Sequence, residues 1–324
     1  MSAAGALKIR VSSDIDEAAK LWAGLWPEND VFGCWKIRRC FQESFNRPLH
    51  LLVAERGGRA CGFLALSYIE EEDYFGAFPG ETWNGRTWLE QNIIPSPSAE
   101  VTGALWKEVP ENTTVRYVTP SCAADIEGAG IDETGYLFRP GDYGWNFDEY
   151  LKAFSGKSRK RLNREIESIG DIKIRPSVRV AEDIDWMLGV NIAGFGKMSY
   201  FADSRFTRGF EAMISQLSSS GMLRVTTATV GGIRAAVDVG AVHNSRYTVL
   251  AGAASPEFPG IAKAINFHHI RVSCREKFRQ TDFLCGDFGW KRRFHLTARP
   301  LYIISTQADG RETAAANGRV EICA

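Results

Sequence analysis

The chain has 324 residues, more than one typical domain holds and enough for two with separate cores. Hydrophobic residues make up 44% and charged residues 24%, which excludes bulk disorder and a fibrous protein. Lysine plus arginine number 39 and aspartate plus glutamate 39, so no whole-molecule field attracts nucleic acid and any anion site has to be a local patch.

The first predicted element is a helix over Asp14 to Trp26. Ile15, Ala18, Ala19, Leu21, Trp22 and Leu25 recur at helical spacing, with Ser12, Ser13 or Asp14 as N-cap. Trp35 to Phe45 reads as a second helix. Residues 50–66, HLLVAERGGRACGFLAL, are two apolar runs joined by Gly57-Gly58. A two-residue Gly-Gly loop predicts a β-hairpin, because tight primed turns need positive φ. Ala65 to Glu70 is expected to continue it as a third strand. Pro79 to Asn92 comes next. Its Glu81, Trp83, Asn84, Trp88, Gln91 and Asn92 suit a pocket for a polar organic molecule, and equally a packed aromatic loop.

A boundary is expected between Arg139 and Glu149, where RPGDYGWNFDE is rich in Pro, Gly and aromatics, with a helix from about Phe147. Ser155 to Arg164 carries five cations in eight residues. Leu162, Ile166 and Ile169 form the apolar stripe of the same helix, so the cations point outward, either as a solvated face or as a grip on phosphates of a cofactor or of RNA. Two helices, Ala181 to Ile192 and Thr207 to Ser218, lead to a second strand–Gly-Gly–strand over residues 222–239. Its turn is Gly231-Gly232, and Arg246 to Ala253 is the next strand. The order helix, helix, β-meander, helix thus repeats about 170 residues apart, which marks a duplicated module rather than a solenoid.

After the second meander the chain reads ASPEFPGIAK. Pro259 and Gly260 turn it into a helix expected over Ile261 to Phe278. Free N–H groups at such a start bind phosphates. Thr281 to Leu284 is a short strand candidate. Asp282 there could accept a proton, and Lys291 with Arg292 could hold a phosphate or an oxyanion. His268-His269 lies within the long helix, one ring inward and one toward solvent. Metal-ligand spacing, a P-loop, GxSxG and GxGxxG are all missing from the sequence, so no metal is expected. Thr306 to Ala324 reads as a frayed tail.

No apolar run reaches 18 residues, and Met1 to Lys8 lacks the pattern of a signal peptide. Seven cysteines stand at irregular spacing without a CxxC pair. This reads as reduced thiols and a cytoplasmic protein without a membrane span.

The succession of a basic SGKSRKRLNRE helix, a helix pair, strand–GG–strand, ASPEFPG into a helix, and DFxxGxxxWK resembles the GNAT-like acyltransferases of the CelD-like group, which are similar to FemAB-type aminoacyltransferases. The match covers residues 150–295, and the N-terminal half looks like a diverged copy, as in tandem GNAT proteins. The resemblance implies an α/β (α+β) fold of two GNAT-like modules, each a mixed, mostly antiparallel sheet flanked by helices. The modules are expected over 1–145 and 146–305, with a tail over 306–324. It further implies transfer of an acyl group from an acyl-CoA-type thioester, or from an aminoacyl-tRNA, to an amine of a small molecule or peptide. The donor would contact Ala253, Pro259, Gly260, Ile261 and Lys263. Asp282, Gly286, Trp290 and Lys291 would line the cleft between modules. One departure stands out: EFPGIA lacks the Arg or Gln that ordinarily precedes the glycine turn gripping the coenzyme A pyrophosphate.

These residues suggest direct attack by a neutral amine. Asp282, or Glu257 through water, would take the proton, and Lys291 would stabilise the leaving group. Glu81, Trp83, Asn84, Trp88, Gln91, Asn92, Arg159 and Trp290 are the candidates for contact with substrate. Two rivals are an aminoacyl-tRNA-dependent transferase, supported by the basic helix, and a non-catalytic binding module, suggested by the divergence of the first half.

Overall fold

The computed structural model describes residues 5–27, 29–286 and 289–307. The backbone divides into two compact units, residues 5–134 with 208–213 and 300–307, and residues 135–207 with 214–299.

The first unit begins with β1 (Leu7–Ser12), α1 (Ile15–Leu25) and α2 (Trp35–Phe45). Asp14 caps α1, its side chain accepting from the Asp16 and Glu17 amides, so one carboxylate satisfies two of the free donors at the helix start. The strands β2 (Leu49–Arg56), β3 (Arg59–Ile69) and β4 (Tyr74–Ala77) come after them, and the sheet order is β1-β2-β3-β4, antiparallel throughout. Gly57 and Gly58 make the β2–β3 turn at φ 60° and 75°, as the primed turn requires. The expected third strand from Ala65 is a difference. The apolar run from Cys61 stays paired with β2, so Ala65 to Ile69 is the end of β3, and the third strand is Tyr74–Ala77.

Alternation along β2 builds two cores. Leu51 and Val53 pack with Ala18, Trp22 and Phe63 beneath α1, whereas Leu52 and Ala54 pack with Val101 and Leu105 of α3 (Ala99–Lys107) on the other face. Each large side chain so buried contributes ~1.5–3 kcal/mol relative to exposure. β5 (Thr114–Val118) pairs antiparallel with the chain near Tyr302–Ser305, and a short α4 (Pro120–Ala123) comes directly after it. β6 (Gly130–Phe138) leads on to the second unit.

The second unit holds α5 (Phe147–Leu151), α6 (Gly156–Glu167), β7 (Ile172–Pro176), α7 (Val180–Phe195), the two ends of α8 (Ser204–Ser219), β8 (Leu223–Val230), β9 (Ile233–His243), β10 (Arg246–Ala254), α9 (Ile261–Arg275), β11 (Gln280–Asp282), α10 (Gly289–Arg293) and the start of β12 (Thr297–Ser305). Its strands run in the order β6-β11-β10-β9-β8-β7. All neighbours are antiparallel except β10 and β11. Gly231 and Gly232 turn β8 into β9 at φ 56° and 87°. α9 lays Ile261, Ala264 and Ile265 on Ala228 and Ala236, and Phe267, Ile270 and Cys274 on Tyr247 and Val249. α7 packs against β9 and β10. Two mixed α/β modules, each a largely antiparallel sheet flanked by helices, are the architecture expected of a GNAT-like tandem.

α9 ends at Arg275, three residues before the expected Phe278. Lys277 turns left-handed at φ 54°, and the Phe278 and Lys277 amides bond back to the Ser273 and Cys274 carbonyls, which closes the helix. The expected tail from Thr306 lies outside the described residues apart from Thr306 and Gln307.

Candidate functional site

The central feature of the second unit is the way β10 and β11 part. They pair in parallel only over Arg246–Thr248 and Gln280–Asp282. β10 then bulges between Val249 and Ala251 and continues along β9 to Ala254. After β11 the chain turns, with Leu284 and Gly286 both at positive φ (57° and 96°). Parting of neighbouring strands exposes backbone N–H and C=O groups that a ligand can meet.

Asp282 ends β11, almost fully buried. One carboxylate oxygen accepts the Leu284 amide at 2.9 Å and the other meets Arg299 Nη1 at 2.9 Å. Lys291 is also buried, and its Nζ donates to the carbonyls of Phe283, Leu284 and Cys285 at 2.9, 3.1 and 2.8 Å. The two residues therefore shape opposite sides of one segment: Asp282 holds an amide and Lys291 holds three carbonyls. Asp287 and Phe288 of the same motif lie outside the described residues. Trp290 is half-buried against Phe283 and Phe294.

Ala253, near the end of β10, is buried opposite Val237. Ser255 to Gly260 then form two successive turns. The Phe258 amide bonds to the Ser255 carbonyl and the Ile261 amide to the Phe258 carbonyl. Glu257 is exposed on this turn, and Pro259 beside it is exposed too. Gly260, at φ 93°, starts α9 without any side-chain cap. Ile169 approaches within 3.5 Å of the place a Cβ would occupy there. Ile261 is buried beneath the turn, and Lys263 in the first helical turn reaches Glu165 Oε2 at 2.7 Å.

Beside that first turn lies a cavity of about 490 Å³. α6, the start of α9, α10 and the α10–β12 connection supply its walls. Arg161, Lys263, Arg293 and Glu165 are its charged lining, and Phe154, Trp290 and His295 are its aromatic surfaces. Glu165 Oε1 also accepts Arg161 Nε at 2.9 Å, and these two hydrogen bonds hold its carboxyl below the usual range. Arg159 stands exposed on the same helix.

Residues 156–292 match the family model of the acetyltransferase (GNAT) domain. The chain carries a GNAT acyltransferase domain. Solved structures resemble the chain beyond that domain. A crystal structure of FemX matches at TM-score 0.56 and 11% identity, covering 91% of this chain and 96% of that one. The C-terminal domain of a putative lysylphosphatidylglycerol synthetase from Agrobacterium fabrum matches at TM-score 0.56 and 10% identity, covering 95% and 97%. A tandem GNAT protein from the clavulanic acid biosynthesis pathway matches at TM-score 0.51 and 12% identity, covering 93% and 99%. At such identities the likeness is one of fold, and it supports the tandem arrangement. No curated protein sequence matches the chain. No helix among the described residues is long and apolar enough to cross a membrane, and no cluster of metal-ligating side chains occurs among them.

One feature of the GNAT domain escaped the sequence reading. Asp238, buried in the middle of β9, bonds through Oδ2 to His269 Nε2 at 2.8 Å, and His269 Nδ1 lies 3.1 Å from the Tyr247 hydroxyl. A Cβ on Gly252 would come within 2.0 Å of Asp238 Oδ1, so only glycine fits opposite this carboxylate. The aspartate interrupting the apolar run AAVDVGAV was the available signal, because a carboxylate there needs a buried partner. The neighbouring His268 is pushed down to about 4, by burial first and then by His269, Arg275 and Arg271.

In the first unit, the candidate loop is turned largely inward. Glu81, buried, accepts the Trp88 and Leu89 amides at 3.1 and 2.9 Å and the Thr87 hydroxyl at 2.7 Å. Trp83 packs near Phe45, and Trp88 packs against Phe32 and Phe41. Gln91 is buried at φ 62°, and Asn92 donates to the Leu89 and Arg116 carbonyls. Asn84, at φ 49°, is the exposed member of the set.

Proposed function

We propose that the GNAT domain moves an acyl group from a thioester of the acyl-coenzyme A type to an amine of a small molecule or peptide, by direct attack. The observation that carries this reading is the early parting of β10 and β11, with the extended end of β10 followed, after two turns over Ser255 to Gly260, by a helix start without a side-chain cap. An extended thioester arm could lie along the released edge of β10, and its phosphates near the first amides of α9. The amine nitrogen attacks the thioester carbonyl, the carbon–sulfur bond breaks, and the thiolate takes up the proton that the amine has released. The exposed Glu257 suits relay of that proton through water. Asp282, engaged with Arg299 and the Leu284 amide, suits holding the 283–285 segment in place, and Lys291 grips the same segment through its carbonyls.

Thiol release tests this directly. The full chain is incubated with acyl-coenzyme A and a panel of amines. Glu257→Gln is expected to lower turnover about a hundredfold to ten-thousandfold, the range for a positioned proton acceptor. Amine-dependent thiol release that is absent from the wild-type protein with every donor and amine tried would defeat the reading. A second reading, an aminoacyl-tRNA donor, is favoured by the exposed cations Lys157, Arg159, Lys160 and Arg164 on α6. It requires RNA binding that weakens steeply with salt. A cytoplasmic setting accords with the scattered thiols of the sequence and with either donor.

A further inference from the structure

β7 is the last strand of its sheet, and its outer side pairs with no strand among the described residues. The Gly231 amide bonds to the Asp171 carbonyl and the Ser177 amide to the Val225 carbonyl. By antiparallel alternation, these bonds turn the backbone of Lys173 and Arg175 toward β8 and that of Ile172, Ile174 and Pro176 outward. Pro176 has no N–H, and the Ile172 amide already bonds to the Gly170 carbonyl. The outer edge therefore presents the Ile174 amide and the carbonyls of Ile172, Ile174 and Pro176. Side chains alternate across the same strand. Ile172 and Ile174 lie half-buried on one face, and Lys173 and Arg175 stand exposed on the other. Each face borders a hollow. Ile172 and Ile174 line one of about 290 Å³ with Ile166, Ala264 and Phe267. Its polar members bring little charge to bear: Arg271 lies over the Phe147 ring at 4.7 Å, and burial pushes His268 down to about 4, neutral at pH 7. Arg175 lines the other hollow, of about 360 Å³, with Arg179, Arg234, Asp183 and Thr227. Arg234 is held by the buried Asp183 at 2.6 Å, which also accepts from the Thr227 hydroxyl. Arg175 has no ion pair among the described residues. Lys173 and Arg179 have exposed ones at 3.3 Å, which contribute little.

We propose that the outer edge of β7 takes up an extended peptide in which acidic and apolar residues alternate, its carboxylates over Lys173 and Arg175 and its apolar side chains over Ile172 and Ile174. Main-chain bonds to Ile174 supply affinity and the two faces supply specificity, the division found wherever a strand is added to a sheet edge. Lysine and proline on an edge also keep other strands away. That role accounts for Lys173 and Pro176, but it calls for no apolar hollow on one face and no gathering of arginines on the other. A segment satisfies both faces at once only if its own charge alternates with the period of a strand. A second copy of the chain fails this condition. β7 laid antiparallel on its own equivalent about Ile174 sets Lys173 opposite Arg175, like charge against like. Strand addition here depends neither on acyl transfer nor on the identity of any donor.

Fluorescence anisotropy of the full chain supplies the test. The probe is a labelled peptide of alternating valine and glutamate with acetyl and amide ends, one residue longer than β7 at either end. Saturable binding that weakens with salt is expected. The double variant Lys173→Glu/Arg175→Glu is expected to bind it about tenfold more weakly, because attractive cross-strand pairs have become repulsive. The same variant is expected to take up a valine–lysine peptide that the wild type rejects, a swap that a misfolded chain does not show. N-methylation of the probe separates strand addition from general charge attraction. Methyl groups on the alternate amides that face β7 are expected to abolish binding, whereas those on the intervening amides leave it largely intact. The Ile174 amide is expected to gain protection from hydrogen exchange in the complex. Binding that is absent at millimolar peptide, equal in wild type and double variant, or indifferent to which amides are methylated overturns the proposal. A double variant with the wild-type thermal midpoint that takes up neither peptide overturns it as well. So does a concentration-dependent dimer of the wild-type chain that the probe dissociates, since β7 is then an interface between two copies.

Discussion

The two Gly-Gly hairpins mark equivalent points in the two units, and the segments downstream of them differ. After β4 the first unit folds its polar groups back on itself. Glu81 takes three donors from its own loop, and buried Arg47 donates to the Gly80 and Thr82 carbonyls. After β10 the second unit leaves its turn largely exposed and begins a helix with no side-chain cap. A loop that satisfies its own donors has little left to offer a ligand, whereas the start of α9 satisfies its Ile261 and Lys263 amides through backbone carbonyls alone and commits no side chain to them. This contrast fits chemistry in the second copy and structural closure in the first.

The strongest way to break this contrast is at Gly252. Its replacement by alanine would push a methyl into the Asp238 carboxylate, which is buried and bonded to His269. We expect a loss of about 2–3 kcal/mol in urea unfolding, the upper range for overpacking, together with loss of acyl transfer. A variant that retains wild-type stability would mean that the carboxylate swings aside freely. The matching experiment in the first unit is Glu81→Ala. It strands two buried amides, so a loss of about 2 kcal/mol is expected, most of it restored by Glu81→Gln, which keeps the accepting oxygen. If Glu81→Gln keeps stability but abolishes turnover, the first loop does more than close itself.

The smallest effect concerns acid. His268 titrates near 4 in the folded chain against about 6.5 when unfolded, so the neutral ring favours the fold above pH 6.5 and that contribution is lost as pH falls toward 4. Replacing it with glutamine is expected to flatten the stability profile between pH 6.5 and 4 by about 1 kcal/mol, a value reduced for the partial exposure of the ring. An unchanged slope across that window would show that His268 charges without strain.

Much of the fold was legible because its signals are local. Gly57-Gly58 and Gly231-Gly232 declare their turns through the positive φ that other residues resist. α2 lies at Trp35–Phe45 as its periodicity predicts. The sequence was less informative where pairing between distant residues decides the outcome. β3 runs on to Ile69 because β2 supplies partners as far as Ser67 and β4 pairs with Tyr68 and Ile69, which no composition signal reveals. The site shows the same division. Pro259-Gly260 was visible as a helix start, but the bond between Asp238 and His269, 31 positions apart, was not. Neither was the meeting of Arg161, Glu165 and Lys263. Lys291 was noticed for its charge, yet its three carbonyl partners are visible only in the folded chain.

That grip on three carbonyls bears on a hazard peculiar to amine acylation, in which an enzyme's own lysines are alternative acceptors for its donor. A lysine becomes a nucleophile only when it releases a proton and frees a lone pair. Lys291 has all three of its N–H donors committed to Phe283, Leu284 and Cys285, beside the strand end where a reactive carbonyl would lie. If the proposed transfer takes place there, the bonds that give Lys291 its structural role also hold its amine away from the donor.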